Sequence, residues 1–118
     1  MGDELSGTAW TVVELSGEPT QEPRPQVRFG EDGRVSGTTG VNRLIGTYAV
    51  DADGLLDLKG ATTLMAGPEA AMRQESALLR AIGAPVPFTL SADRLELAAP
   101  DGSVGVVLVP AAGDPVLV

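Results

Sequence analysis

A dipeptide repeated three times restricts the fold more than any other feature. Asp-Gly stands at Asp32-Gly33, Asp53-Gly54 and Asp101-Gly102, each time between short runs rich in Val, Leu, Ile or Phe. Both residues tolerate positive φ, which the tight turns of antiparallel hairpins demand. The pairs predict three hairpins: Val27 to Phe29 with Val35, Leu44 to Val50 with Leu55 to Leu58, and Arg94 to Leu97 with Val104 to Val109. A strand from Thr8 to Leu15 precedes them, and alternation puts Trp10, Val12 and Glu14 on one face and Thr11, Val13 and Leu15 on the other. Val86 to Leu90, with a turn at Ser91 to Asp93, completes about eight strands.

Only one segment has helical period. From Pro68 to Ile82, Ala71, Met72, Glu75, Leu78, Leu79 and Ile82 recur at steps of three and four. Pro68 suits the helix start, Glu69 complements the positive end of the dipole, and Gly83 stands where a C-terminal stop belongs. Short strands at close spacing around one helix predict an all-β domain, a small barrel of antiparallel strands with the helix packed at one end. Gly17 to Pro25 holds three prolines and reads as a surface loop, a rim or lid. The core is expected over about residues 5–109 of a single domain, with residues 110–118 a surface tail.

The glycine-punctuated stretch from Val35 to Tyr48 is the centre of this layout. Gly37, Gly40 and Gly46 sit where a backbone needs positive φ, a bulge or a close approach, and Asn42-Arg43 places polar side chains between them. Glu75 is the odd residue of the helix, because it shares a face with Met72, Leu79 and Ile82. An unpaired buried carboxylate is costly, so Glu75 needs a partner, with Arg43 the first candidate and the Asn42 amide the second.

Composition removes whole classes of chemistry. The chain has no Cys and no His, and so lacks thiol nucleophiles, thiolate metal sites and the commonest general base. Eight basic against 16 acidic residues give a net charge of −8, which repels phosphate backbones and anionic membranes. With only Trp10, Phe29, Tyr48 and Phe88 as aromatics there is no stacking platform, so nucleic acid is not an expected partner. No stretch approaches a membrane-spanning length, and the first residues resemble no leader. The chain as written is expected in the cytoplasm, or in the envelope, periplasmic or extracellular, if a leader was removed.

Two local patterns are weaker than they look. Asp51-Ala52-Asp53-Gly54 resembles the start of a calcium loop, but Thr62 stands where the closing glutamate would be, which leaves a hairpin turn. Gly37-Thr38-Thr39-Gly40 could cradle a phosphate only if a helix opened after it, and Val41 to Val50 reads as strand. No catalytic, metal or cofactor site is assigned. Trp10, Met72 and Phe88 are the candidates for lining a ligand cavity, since Met adapts to irregular apolar shapes.

Four segments taken together resemble the META domain, the HslJ-like family of small bacterial proteins. They are Leu5-Ser-Gly-Thr-Ala-Trp10, Gly33-Arg-Val-Ser-Gly37 with Gly40-Val-Asn-Arg43, Gly46-Thr-Tyr48, and Thr62-Thr-Leu-Met65-Ala-Gly67 leading to Met72 and Glu75. The resemblance implies a small cracked, distantly lipocalin-like β-barrel with one helix, and a structural motif of Gly37, Gly40, Asn42, Arg43, Gly46, Tyr48, Met65 and Glu75. Relatives often carry cysteines where this chain has Val41 and Gly67, and an arginine at Leu64. The joint loss of both thiols fits a pair and a reducing compartment. The family's association with stress and drug tolerance implies a non-enzymatic module that binds an amphipathic small molecule or a partner protein. The competing expectation is a hydrolase or isomerase working through Glu75.

Overall fold

The computed structural model describes residues 4–111. The tail expected from 110 onward lies almost wholly outside them. Nine strands and one helix follow one another as β1 (Thr8–Leu15), β2 (Glu18–Pro19), β3 (Gln26–Phe29), β4 (Arg34–Thr38), β5 (Arg43–Val50), β6 (Leu55–Thr62), α1 (Glu69–Ala81), β7 (Val86–Ser91), β8 (Arg94–Ala98) and β9 (Val104–Pro110). Each pairs antiparallel with its neighbour in the order β2-β1-β3-β4-β5-β6-β7-β8-β9, and β1 also pairs with β9. That last pairing closes the sheet into a ring. The ring is cracked where β6 meets β7, joined only through Leu55↔Pro87 and Leu56↔Val86.

Each Asp-Gly turn is held by an aspartate, Asp32 and Asp101 in their own pairs and the preceding Asp51 at Asp53-Gly54. Asp51 Oδ1 accepts the N–H groups of Asp53 (2.9 Å) and Leu55 (3.0 Å), so that carboxylate serves the turn itself. Asp101 Oδ1 accepts the Ser103 hydroxyl (2.6 Å) and N–H (2.9 Å), bonds that favour the charged form and hold its carboxyl below the ordinary value. Gly33, Gly54 and Gly102 all have positive φ, as the turns require.

The interior is packed with side chains. Trp10, Val12, Phe29, Leu56, Leu95 and Val106 are buried in one cluster with residues from every strand except β2, and Leu78 and Ile82 join it from α1 and its end. The face of β1 differs from simple alternation. Its ladder with β9 shifts between Val12 and Glu14, a bulge that turns Leu15 inward beside Trp10 and Val12 and leaves Glu14 exposed.

The segment expected as a surface loop, rim or lid is also anchored. Glu18 pairs with Leu15 and Pro19 with Glu14, at the edge of the sheet, where proline is tolerated. The Thr20 hydroxyl, 4% exposed, donates to the Val12 carbonyl at 2.7 Å, and the Val12 N–H donates to the Pro25 carbonyl at 2.9 Å. These bonds argue against a lid.

Helix α1 begins after Pro68 with Glu69 in its first turn and ends at Ile82. Gly83 follows at C′ without the left-handed backbone of the usual glycine stop, and Pro85 and Pro87 prevent continuation. The helix touches β1 and β9 and covers one end of the ring. Among the described residues no helix is long and apolar enough to cross a membrane.

Gly46 shows how tightly the wall is drawn. It pairs with Gly60 across β5 and β6, and a Cβ at Gly46 would lie 2.1 Å from the Lys59 carbonyl oxygen. Gly46→Ala is therefore expected to cost about 2–3 kcal/mol by forcing the strands apart. Urea denaturation should show a lower midpoint at unchanged slope, and an unaltered midpoint would mean that β5 and β6 are not this close.

Candidate functional site

Three of the four buried polar residues among the described ones, all but Thr20, meet where the turn from β4 to β5 faces α1. Thr39, Asn42 and Glu75 are 0%, 3% and 7% exposed. The Thr39 N–H donates to the Asn42 carbonyl (2.8 Å), and the Thr39 hydroxyl oxygen accepts the Asn42 N–H (2.9 Å), which folds residues 39–42 into a compact turn. Gly40 permits this turn. Its φ is +98°, and a Cβ there would stand 2.5 Å from the Pro23 carbonyl oxygen.

Glu75 reaches this turn from the helix. Its Oε2 accepts the Thr39 hydroxyl at 2.6 Å and the Asn42 amide at 2.7 Å. The rest of the Asn42 amide is used as fully: Nδ2 also donates to the Met65 carbonyl (3.1 Å), while Oδ1 accepts the Met65 N–H (2.6 Å) and the Thr63 hydroxyl (2.8 Å). An asparagine offers two donors and two acceptor positions, and all four are occupied. One side chain thus ties the β4–β5 turn, the connection over residues 63–68 and the helix. The adjacent Gln74 makes a second fastening, accepting the Gln21 N–H at 2.8 Å and donating to the Gln21 carbonyl at 3.1 Å.

Arg43, the first candidate for pairing with Glu75, does not do so. It opens β5, where alternation turns Leu44 inward and Arg43 out into solvent; only its backbone joins the network, its N–H donating to the Thr63 hydroxyl at 3.0 Å and its carbonyl accepting the Thr63 N–H at 3.2 Å. Met65 contributes its backbone, and its side chain is 61% exposed. Tyr48 serves a different place: its hydroxyl donates to the Gly30 carbonyl at 2.8 Å and its ring meets Phe29 edge-on at 4.9 Å. Gly37 is needed for close approach, since a Cβ there would fall 2.0 Å from the Gln26 carbonyl oxygen. The phosphate-cradle pattern around it opens onto β5, with no helix to complete it.

Trp10, Met72 and Phe88 are not gathered around one cavity. Trp10 is packed in the core with its indole N–H donating to the Thr8 hydroxyl at 2.8 Å, while Met72 and Phe88 are half-buried on α1 and β7. The apolar concavity lies elsewhere. A groove of about 490 Å³ runs between the C-terminal half of α1, residues 84–87 and the β8–β9 turn, lined by Ala77, Arg80, Ala81, Val86, Ala99 and Gly105 among others. Its signal in the sequence was the pair of clusters Ala84-Pro85-Val86-Pro87 and Ala98-Ala99-Pro100. Thr39 and Thr63 were also missed, although threonine hydroxyls readily bond nearby backbone in turns.

A closed antiparallel ring carrying one helix, with a buried hydroxyl–amide–carboxylate cluster between them, defines a small β-barrel module. The chain belongs to the META domain family, whose sequence profile matches residues 3–112. No curated protein matches the sequence. Solved structures share the fold at low identity: an NMR structure of a Burkholderia xenovorans protein (21% identity, 93% of this chain and 86% of that one, TM-score 0.71) and a crystal structure of a DUF4847 family protein from Bacteroides vulgatus (13% identity, 92% and 95%, TM-score 0.71). A further NMR structure aligns at 20% identity over 92% of this chain and 94% of that one, with a TM-score of 0.72.

The positions where the resemblance places cysteines are adjacent in space. A Cβ at Gly67 would lie 3.7 Å from the Val41 Cβ, within the range that a disulfide spans. The double variant Val41→Cys/Gly67→Cys should oxidise spontaneously and gain about 3 kcal/mol over its reduced form by closing a loop of roughly 25 residues. Denaturation with and without reductant measures this. Thiols that stay free in air, or no difference between the two forms, would contradict the placement.

Proposed function

We propose that this META domain is a non-enzymatic binding module that holds an amphipathic small molecule with an anionic head in the groove beside Arg80. The groove itself carries the reading. Its walls are small and apolar, mostly Ala, Pro, Val and Gly, and its polar lining is Arg80 and Ser16. Arg80 makes no ion pair among the described residues, although acidic side chains are twice as numerous as basic ones. A hydrocarbon body would bury against the alanines and prolines while the guanidinium meets a carboxylate or sulfate.

The enzymatic alternative needs a second acid or base within reach of Glu75. The Glu75 carboxylate is instead bonded to a hydroxyl and an amide, groups that hold it in place and neither take nor supply a proton at neutral pH. No cluster of three metal-ligating side chains occurs among the described residues.

Titration with decanoate, followed by backbone NMR, tests the proposal. Signals of Ala77, Ala81, Val86 and Ala99 should shift together and saturate, and Arg80→Gln should weaken the affinity by about tenfold, the loss of one charge-assisted bond. Shifts scattered over the surface, or an affinity unaffected by Arg80→Gln, would overturn it.

A further inference from the structure

The crack in the ring leaves part of one strand unpaired. β6 pairs with β5 along its length, from Val50↔Leu56 to Leu44↔Thr62, but with β7 only at Leu55 and Leu56. In an antiparallel ladder, successive residues turn their backbone N–H and C=O toward opposite neighbours. Two bonds fix the phase here: the Asp51 N–H donates to the Leu55 carbonyl (3.0 Å), and the Thr63 N–H donates to the Arg43 carbonyl (3.2 Å). Odd-numbered residues of β6 therefore face β5. The even-numbered Leu58, Gly60 and Thr62 turn their backbone groups into the crack, where no backbone partner meets them among the described residues.

Apolar surface collects at the same place. Among the described residues four large hydrophobic side chains are exposed, Ile45, Leu64, Met65 and Val104, and Leu64 lines the crack itself. Leu64 and Met65 follow directly on the open end of β6 at Thr62, and Ile45 is exposed one strand away, opposite Ala61. Beneath the open edge runs a groove of about 570 Å³ whose lining includes Leu44, Leu58, Gly60, Thr62, Leu79 and Ile82. One wall is a free strand edge. The other is the C-terminal part of α1.

We propose that this slot takes a single extended peptide segment of neutral or basic character, added as a strand along β6 in line with β7. Backbone donors and acceptors repeated at alternate residues are met in full only by another extended backbone. The free edge from Leu58 to Thr62 is about 13 Å long, which suits roughly four or five residues. Alternate side chains of the segment would reach the groove floor of Leu44, Leu58 and Ile82, and Gly60 presents no side chain in the middle of that edge. The helix wall limits the occupant to one strand in thickness, which a second copy's β6, flanked by its own β5 and helix, does not satisfy. The net charge of −8 disfavours an acidic segment. This site is separate from the groove beside Arg80.

Residue-resolved hydrogen exchange on the full chain tests it, with acetylated, amidated pentapeptides in which Val, Leu or Ile alternates with Thr between terminal lysines. In the free protein the amides of Leu58, Gly60 and Thr62 should exchange fast and those of Lys59 and Ala61 slowly. At millimolar peptide the first three should slow by at least tenfold, and N-methylation of the peptide's edge-facing amides should abolish the effect. The proposal is overturned if no peptide slows them or if the methylated peptide works equally well. Protection already present in the free chain would mean that the chain fills its own crack, and protection that grows with protein concentration alone would mean self-pairing. Either result also rejects it.

Discussion

A carboxylate placed in the seam between a helix and a strand turn is the constraint on which the architecture turns. Glu75 sits on the buried side of α1, and a charged group removed from water persists only where donors replace its hydration. The Thr39 hydroxyl and the Asn42 amide supply them at 2.6 and 2.7 Å, and Asn42 spends its three remaining hydrogen-bond positions on Met65 and Thr63. The Asn42 amide is therefore saturated. The same carboxylate that would be costly alone specifies where the helix lies, because displacing α1 would leave a buried amide and a buried charge without partners.

That cluster forms only because the backbone around it comes unusually close. Gly40 passes the Pro23 carbonyl, Gly37 passes the Gln26 carbonyl, and any side chain at either position would collide with main chain. The Gly17–Pro25 arm, held by Thr20 and by Gln21's two bonds to Gln74, in turn braces the helix beside the Gly40 turn. Consecutive helix residues thus reach two separate segments of the ring. The surface ion pairs, by comparison, join exposed side chains and add little.

Much of the fold was legible because local chemistry and global architecture agree. Asp-Gly turns, β-branched runs and a single 3.6-residue period identify hairpins and helix without reference to anything distant. What escaped was set by distant partners. The bulge after Val12 reverses the face of Leu15 through pairing with β9, and the two-residue strand Glu18–Pro19 exists only because β1 offers it an edge. Glu75 was recognisable as needing a donor, but charge favoured Arg43, and strand alternation gave the role to its neighbour Asn42 instead. The groove beside Arg80 was hard to read for a similar reason: its Ala-Pro clusters lie in separate segments, and only the fold brings them together with α1.

The central claim is that Asn42 and Glu75 act as one unit in fastening helix to barrel, and a double-mutant cycle measures that directly. Glu75→Ala and Asn42→Ala should each cost on the order of 3 kcal/mol by chemical denaturation, since each strands the other group in the interior. The double variant should cost less than the sum, with a coupling of about 1.5–3 kcal/mol. Effects that add to within about 0.5 kcal/mol would show that the two side chains stabilise the protein independently, and would contradict the account.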